Sequence, residues 1–260
     1  MEPTRRTVTA GDVTDLRLRA VAADGEARAG GKRPEEAVSF VHGATYPGRA
    51  AFAPAPAYSW LAATAAAGWD AFALDVWGYG ERDPPEVASH TAFAPVFRLS
   101  EERVAEFDLG DPPRPARVVT QSEARERWES QFPEGTEPGE WHDGDAFRAF
   151  WAAVRGSNQG LAGTEDPPIR APNGTLVDMR RAAAGEDPYD PGAVDVPTLV
   201  VRGSNDPTAT REDALPLYDA LGDARRYVEL AGGTHLTPLE HRREELYATL
   251  NGFLDALAGG

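Results

Sequence analysis

The chain has 260 residues and a formal net charge of -16 at pH 7, so it would be repelled by nucleic-acid phosphates and by anionic membrane surfaces. It contains no cysteine, which excludes a disulfide framework, a thiolate nucleophile and any cysteine-ligated metal site. No stretch approaches the roughly 20 apolar residues that span a bilayer, and the N-terminus MEPTRRTVTAGDVTD lacks the apolar centre of a signal peptide. We therefore expect one main fold in the cytoplasm, with neither nucleic acid nor membrane as partner.

The first third of the chain predicts strands and one helix. Polar and apolar residues alternate over residues 5–23, which predicts two antiparallel strands. The apolar run AVSFVHG predicts a buried parallel strand that ends at His42 and Gly43. AYSWLAATAAAG then predicts a helix that ends at Gly68, and DAFALDV predicts a second buried strand. Strand, helix and strand of these lengths indicate a parallel crossover unit.

The middle of the chain is polar and rich in proline, and its periodicity is helical. Helices are predicted after Ser100, after Ser122 and around Phe147. We interpret this region as a mostly helical cap. Aromatic residues in it would pack the cap or line a pocket beneath it. These residues are Trp141, Phe147, Phe150 and Trp151.

Two strands near the C-terminus end in residues that suit acid-base chemistry. TLVVRG is followed by Asp206, and RRYVEL is followed by a Gly-Gly-Thr-His turn that carries His235. An acid after one strand and a histidine after the next could form a hydrogen-bonded pair, in which the acid fixes the imidazole tautomer. The last helix has an apolar stripe that predicts packing on the sheet. The stripe consists of Leu239, Leu246, Leu250, Phe253, Leu254 and Leu257.

Four segments, in this order, resemble the α/β-hydrolase superfamily: SFVHGATYPG, GWDAFALDVWGYGERD, VPTLVVRGSNDP and GGTHLTP. The resemblance implies an α/β fold, with a mostly parallel sheet and a mostly helical cap. It also implies a layout in which residues 1–83 and 192–260 form the core, and residues 84–191 form the cap.

The same resemblance implies the site. Asp206 matches the acid of the family's catalytic triad and His235 matches its base. The HG loop, His42-Gly43-Ala44-Thr45, would supply one side of an oxyanion hole through the backbone N–H groups of Ala44 and Thr45. The substrate would be a small molecule with an ester-type bond. No cofactor is implied, and no histidine or carboxylate cluster suggests a metal.

The chain departs from the family at the nucleophile. The family carries it in a G-x-S-x-G elbow on a central strand, and no such motif occurs here. We therefore expect a sheet shortened in the middle, without the elbow strand, its helix and the next strand. Either the C-terminal strands pair directly with AVSFVHG, or the segments VAEFDL or ARVVT fill the space, or the protein has low stability.

No residue is a convincing substitute nucleophile. Asp111 follows the possible strand VAEFDL, but Pro112 has no N–H for an oxyanion hole. Ser100 and Ser122 precede acidic residues and are better explained as helix N-caps. Ser204 lies in the acid loop, where its hydroxyl would cap the turn.

Three hypotheses remain open. The first is an enzyme of hydrolase type in which His235, oriented by Asp206, acts as general base without a serine nucleophile. It would activate water to hydrolyse an activated ester, or abstract a substrate proton directly in a lyase or cyclisation step. The second is a catalytically inactive small-molecule-binding homologue, and the third is an internally deleted α/β-hydrolase. In the last two, Asp206 and His235 could be polar loop residues that do not cooperate. Of the other histidines, His42 is predicted to be structural, and the remainder solvated or capping: His90, His142 and His241. Substrate identity and oligomeric state do not follow from the sequence.

Overall fold

The structure is a computed structural model that describes residues 4–10, 14–23, 37–43, 45–74, 89–97, 99–105, 107–157, 168–187 and 189–258. The strands in these ranges are β1 Thr4–Ala10, β2 Thr14–Val21, β3 Ala37–Val41, β4 Asp70–Leu74, β5 His90–Phe93, β6 Ala116–Val119, β7 Ile169–Pro172, β8 Thr198–Gly203 and β9 Arg225–Leu230. The α-helices are α1 Gly48–Phe52, α2 Trp60–Ala66, α3 Glu101–Ala105, α4 Gln121–Glu129, α5 Pro138–Trp141, α6 Ala146–Ser157, α7 Gly174–Ala183, α8 Arg211–Ala220 and α9 Arg243–Ala258. None of the helices in the described ranges is long and apolar enough to cross a membrane.

The first sheet contains four strands in the order β1-β2-β4-β3. The β1–β2 and β2–β4 pairs are antiparallel, whereas β3 and β4 are parallel. The hydroxyl of Ser59 caps α2 by accepting from the N–H of Ala62 at 3.0 Å. Gly68 ends the helical segment with a φ of 94°, in the left-handed region that glycine tolerates. The predicted N-terminal strands and the crossover through α2 are confirmed.

The second sheet contains three parallel strands in the order β5-β8-β9. All six residues of β8 are buried, as its unbroken apolar run predicts. Residues 90–93, which the sequence analysis assigns to the cap, form β5 beside β8 instead. A four-residue strand in a proline-rich segment has too few residues to show a period. The strand is followed by Ala94, which has a positive φ of 48° and whose N–H donates to Val201 O at 2.7 Å.

No strand pairing joins the two sheets among the described residues. There β8 pairs with β5 and β9 rather than with β3, and the segment ARVV forms β6, which pairs with β7 in a separate antiparallel sheet. The predicted helix after Ser100 is confirmed by α3, where Ser100 Oγ accepts from the N–H of Arg103 at 3.3 Å, so the alternative strand VAEFDL does not form at Val104 and Ala105. The strand β3 is less buried than predicted, with Val41 54% exposed. Residues 75–88, including the D-x-x-G-x-G loop, lie outside the described residues.

One apolar core nevertheless serves both sheets. Trp60 lies at its centre, with its ring 5.2 Å from that of Phe40 in β3 and 5.7 Å from that of Phe93 in β5. Tyr247 of α9 stacks on the same indole, at 5.7 Å and an interplanar angle of 28°. The predicted packing of α9 on the sheet is confirmed, because its buried leucines share this core with β8. Leu257 is an exception: it is 39% exposed, and the last four residues of α9 are all exposed.

The region predicted as the cap has a second apolar core, built on α4 and α6. Phe147, Phe150 and Trp151 are buried in it and Trp151 stacks on Phe147, at 6.2 Å and 9°. Leu239, which precedes α9, packs against the same cluster, so the cap is joined to the rest of the molecule by apolar contact. These three aromatic residues therefore pack the cap.

The helix α4 begins two residues earlier than Ser122 would place it. Its N-cap is Thr120, whose hydroxyl accepts from the N–H of Glu123 at 3.2 Å while the Glu123 carboxylate accepts from the N–H of Thr120 at 2.8 Å. This reciprocal pair is a capping box. The predicted N-cap role of Ser122 is wrong, because Thr120 offers the same hydroxyl with a glutamate at the required third position.

Candidate functional site

Asp206 and His235 lie together at the carboxyl ends of neighbouring parallel strands. Gly203, the last residue of β8, is in register with Leu230, the last residue of β9, so the loops that follow start side by side. His235 Nδ1 is 2.9 Å from Asp206 Oδ2. The acid and histidine that the sequence places after successive strands are thus brought into hydrogen-bonding contact.

Backbone groups fix the Asp206 carboxylate. The side chain is completely buried, and Oδ1 accepts from the N–H groups of Thr208 and Ala209, at 2.8 and 2.9 Å. Burying a carboxylate is costly unless its oxygens are hydrogen-bonded, and these contacts provide partners for both oxygens once His235 is included. The carboxylate therefore has one fixed orientation toward the imidazole.

Arg202 organises the loop that carries Asp206. Its guanidinium is buried at the end of β8 and donates to the carbonyl oxygens of Ala209, at 2.9 Å, and Asp206, at 3.3 Å. An ion pair with Glu229 Oε2, at 2.6 Å, balances its charge. A planar guanidinium can bind several oxygens at once without reorienting, so it folds the acid loop back on the strand.

Two glycines allow the acid and histidine loops to approach this closely. A Cβ atom on Gly203 would lie 2.1 Å from Gly233 O, which is far inside contact distance. A Cβ atom on Gly233 would lie 2.7 Å from the hydroxyl oxygen of Thr237. The same carbonyl, Gly233 O, accepts from the N–H of Asn205 at 2.9 Å. Backbone packs directly on backbone here, which is where a side chain cannot be tolerated.

The imidazole of His235 is arranged to accept a proton. Because Asp206 Oδ2 is an acceptor, Nδ1 carries the hydrogen and Nε2 holds the free lone pair. No described residue forms a hydrogen bond to Nε2, and the side chain is 34% exposed. A solvent or substrate proton can therefore reach Nε2, as general-base chemistry requires.

The end of α4 contacts the histidine loop, and sequence reasoning did not find it. The N–H of His235 donates to Gln131 Oε1 at 3.0 Å, from a residue 104 positions away. The indole N–H of Trp128 donates to Glu240 Oε1 at 3.0 Å. Glu240 is fully buried, and this burial raises its pKa, although hydrogen bonds from Thr234 and Trp128 oppose the rise. Local sequence patterns do not predict contacts between residues that are so far apart in the chain.

The structure describes three of the four predicted oxyanion-loop residues. His42 is buried, and its Nδ1 donates to Gly43 O at 2.7 Å. Thr45 Oγ1 accepts from Arg117 Nη2 at 2.8 Å, which ties this loop to β6. Ala44 lies outside the described residues. The role of this loop as an oxyanion hole stays a prediction.

Two of the residues considered as substitute nucleophiles, Ser204 and Asp111, are placed away from a nucleophile's position. Ser204 Oγ accepts from the N–H of Gly232 at 2.8 Å, so it joins the acid and histidine turns. Asp111 is exposed and lines an open cavity of about 680 Å³ between α3, the loop that follows it and α7. None of the residues that line this cavity belongs to the loops of Asp206 and His235.

The remaining histidines are separate from the pair. Of the two alternatives predicted for His142, capping is confirmed, since it is the C-cap residue of α5 and its N–H donates to Pro138 O at 3.1 Å. It is not solvated: it is 4% exposed and stacks on Trp128 at 4.3 Å. His241 is exposed, and its Nε2 lies 3.2 Å from Asp143 Oδ1. The side chain of His90 lies outside the described part of the chain. In that described part, no three histidine or carboxylate groups converge as a metal site would require.

No protein-family model matches the chain, and no curated protein matches it. Solved structures do. E-2-(acetamidomethylene)succinate hydrolase has a TM-score of 0.62 at 14% identity, covering 97% of this chain and 99% of that one. A thermophilic esterase from Thermogutta terrifontis, solved with malate bound, has a TM-score of 0.59 at 13% identity, covering 98% and 99%. An α/β-hydrolase fold protein from Chitinophaga pinensis has a TM-score of 0.54 at 10% identity, covering 97% and 98%.

The chain has the α/β-hydrolase fold. The fold that its four sequence segments predict is therefore confirmed. In an α/β-hydrolase fold, function resides in the residues that the loops present at the strand ends, and it varies freely on a constant scaffold. The activity has to be argued from the site itself.

Proposed function

We propose that the chain is a hydrolase of a small ester-type substrate, in which Asp206 and His235 act as a general-base pair without a serine nucleophile. The observation that carries the proposal is the 2.9 Å contact between His235 Nδ1 and Asp206 Oδ2, with Nε2 open on the other side of the ring. Hydrolases and esterases recur among the similar structures, which supports this reaction class.

The proposed reaction uses water directly. Nε2 of His235 takes a proton from a water molecule while the water oxygen attacks the ester carbonyl carbon. The resulting oxyanion is stabilised by the N–H groups that follow Gly43. When the tetrahedral intermediate collapses, the carbon–oxygen bond to the leaving group breaks and the imidazolium returns its proton to that oxygen. Asp206 stays ionised and stabilises the imidazolium. The products are a carboxylic acid and an alcohol.

The first test is hydrolysis of p-nitrophenyl acetate and butyrate. The wild-type chain should hydrolyse at least one of them, and His235→Ala should lower kcat/KM by about 10²-fold or more. His241→Ala is the matched control, because His241 is also a partly exposed histidine bonded to an aspartate but belongs to another cluster. Equal activity of the wild type and His235→Ala would refute the proposal.

A second measurement tests the absence of a serine nucleophile. A fluorophosphonate probe labels activated serines, so intact-mass analysis should show no adduct on the active chain. An adduct mapped to a serine by peptide sequencing would show that the reaction proceeds through an acyl-enzyme.

One observation favours the two alternatives to an active enzyme, namely a small-molecule-binding protein and an internally deleted hydrolase. Among the described residues the four-stranded and three-stranded sheets are not joined by backbone hydrogen bonds. If no ester, thioester or epoxide is turned over faster than in buffer while small molecules raise the melting temperature, the chain is a binder. A melting curve without a cooperative transition would instead indicate a deleted fold.

A further inference from the structure

Glu240 is a completely buried carboxylate, five residues after His235 in the chain. We propose that Glu240 is a positioning residue for His235, and that it couples the docking of α4 to the alignment of the imidazole with Asp206. The proposal rests on the proposed function, in which His235 is the general base.

Glu240 acts on His235 through the adjacent residue. The hydroxyl of Thr234 donates to Glu240 Oε1, and the backbone N–H of Thr234 points to Oε2 at 3.4 Å. Thr234 O in turn accepts from the Thr237 hydroxyl at 2.7 Å. Thr234, the residue before His235, is therefore held at its backbone N–H, its hydroxyl and its carbonyl. Such a peptide cannot rotate without breaking a buried hydrogen bond.

Glu240 also forms a hydrogen bond with α4, in the predicted cap. The Trp128 indole N–H donates to Oε1, the same oxygen that accepts from Thr234. Three residues further along, Gln131 accepts from the N–H of His235 itself. Trp128 lies in the last turn of α4 and Gln131 follows the helix by two residues, so this segment binds consecutive residues of the histidine loop, one directly and one through the carboxylate.

The chemistry of the contact explains why a carboxylate occupies this place. A glutamine has one acceptor oxygen and an NH₂ group that cannot accept, so it cannot receive the Trp128 indole and both Thr234 donors in the same arrangement. A hydrophobic residue would leave these buried donors without acceptors, which is costly. A carboxylate accepts from all three donors, whereas a glutamine that kept its oxygen toward Trp128 and the Thr234 hydroxyl would turn its NH₂ group toward the N–H of Thr234.

The test uses Glu240→Gln and Trp128→Phe in the full chain, with Glu245→Gln as the matched control. Glu245 is an exposed glutamate in the first turn of α9. The readout is the tautomer of His235, from the ¹⁵N shifts of its ring nitrogens; the chain has only five histidines. The wild type and Glu245→Gln should show the proton on Nδ1. Glu240→Gln should show a mixture of tautomers, and Trp128→Phe a shift in the same direction.

Kinetics supply the second readout. Glu240→Gln should lower kcat by about 10- to 100-fold with little change in KM, because the base is misplaced while substrate contacts remain. If Glu240→Gln does not fold, Trp128→Phe decides, since it removes the indole N–H and keeps an aromatic ring in the cluster, although the smaller ring leaves part of the buried space empty. A wild-type tautomer in every folded variant would overturn the proposal. A wild type without turnover would refute the proposed function, while the tautomer measurement would still decide the role of Glu240.

Discussion

Asp206 Oδ2 and His235 Nδ1 lie 2.9 Å apart, although the two residues are 29 positions apart in the chain. They meet because β8 and β9 are adjacent, parallel and in register to their last residues. Each partner is also held independently of the other, Asp206 by the N–H groups of its own loop and His235 by Gln131. The geometry of the pair therefore exists before any substrate binds, which is the preorganisation that catalysis requires.

Replacing Asp206 with asparagine tests this geometry most directly. An asparagine keeps an oxygen for the two N–H donors of the acid loop but turns its NH₂ group toward His235 Nδ1. The imidazole must then carry its proton on Nε2, and it can no longer act as a base there. We expect Asp206→Asn to lower kcat/KM for p-nitrophenyl esters by about 10²- to 10⁴-fold. Circular dichroism should show an unchanged fold, and unchanged kinetics would contradict the assigned role.

The buried carboxylate of Glu240 makes stability depend on pH. Its pKa is raised above 4.5 by burial, so the folded state binds this proton more tightly than the unfolded state. The associated stability is present below pH 4.5 and is lost as pH rises through the folded-state pKa. Glu240→Gln removes this term. Urea unfolding from roughly pH 4 to pH 8 should show the stability of the variant improving relative to wild type as pH rises. A constant difference across that range would contradict the expectation.

The capping box of α4 gives a prediction about stability that separates two neighbouring hydroxyls. Thr120→Ala removes the acceptor for the N–H of Glu123 and should lower the free energy of unfolding by about 1 kcal/mol. Ser122→Ala, two residues further on, should change it by less than about 0.5 kcal/mol. Urea denaturation of both variants makes the comparison. Equal losses would show that Ser122 also stabilises the start of the helix.

Trp60 connects the two sheets through side chains. Its ring contacts Phe40 of one sheet and Phe93 of the other, and its indole N–H makes no hydrogen bond with the described residues. We expect Trp60→Ala to lower the free energy of unfolding by about 3–5 kcal/mol, because it leaves a large cavity in the shared core. Trp60→Phe keeps an aromatic ring there and should cost less. A small effect of the alanine variant, measured by calorimetry, would show that the sheets are joined by other means.

Periodicity and apolar runs predicted most of the core. The strands β8 and β9 were expected with the bounds that the structure shows, because TLVVRG and RRYVEL are compact runs with clear ends. The helix α2 followed from the alanine-rich sequence that ends at Gly68, although its N-cap, Ser59, was not predicted. The contact between Asp206 and His235 was expected because parallel strands present their ends at one edge. In each case the signal is local, or depends on one simple rule of topology.

The sequence did not predict features that depend on distant neighbours. The strand β5 is recognisable only from its pairing with β8, and His142 is buried only because Trp128 covers it. Gln131 and Glu240 reach the site through contacts across the cap, which no spacing rule encodes. Val104 had been given both a possible helix and a possible strand, because a short apolar run suits the two equally well, and only the structure shows the helix.

The contact between Gly203 and Gly233 limits how this protein could diverge or be redesigned. A Cβ atom on Gly203 would collide with Gly233 O, and a Cβ atom on Gly233 would crowd the Thr237 hydroxyl and the Cα of Gly203. The two loops must therefore change together or remain as they are. A new substrate preference would therefore be easier to obtain from substitutions on the cap than from the loops of the acid and the histidine. Libraries for directed evolution should keep both glycines constant and vary the exposed residues of α4 and α6 that neighbour the packed cluster.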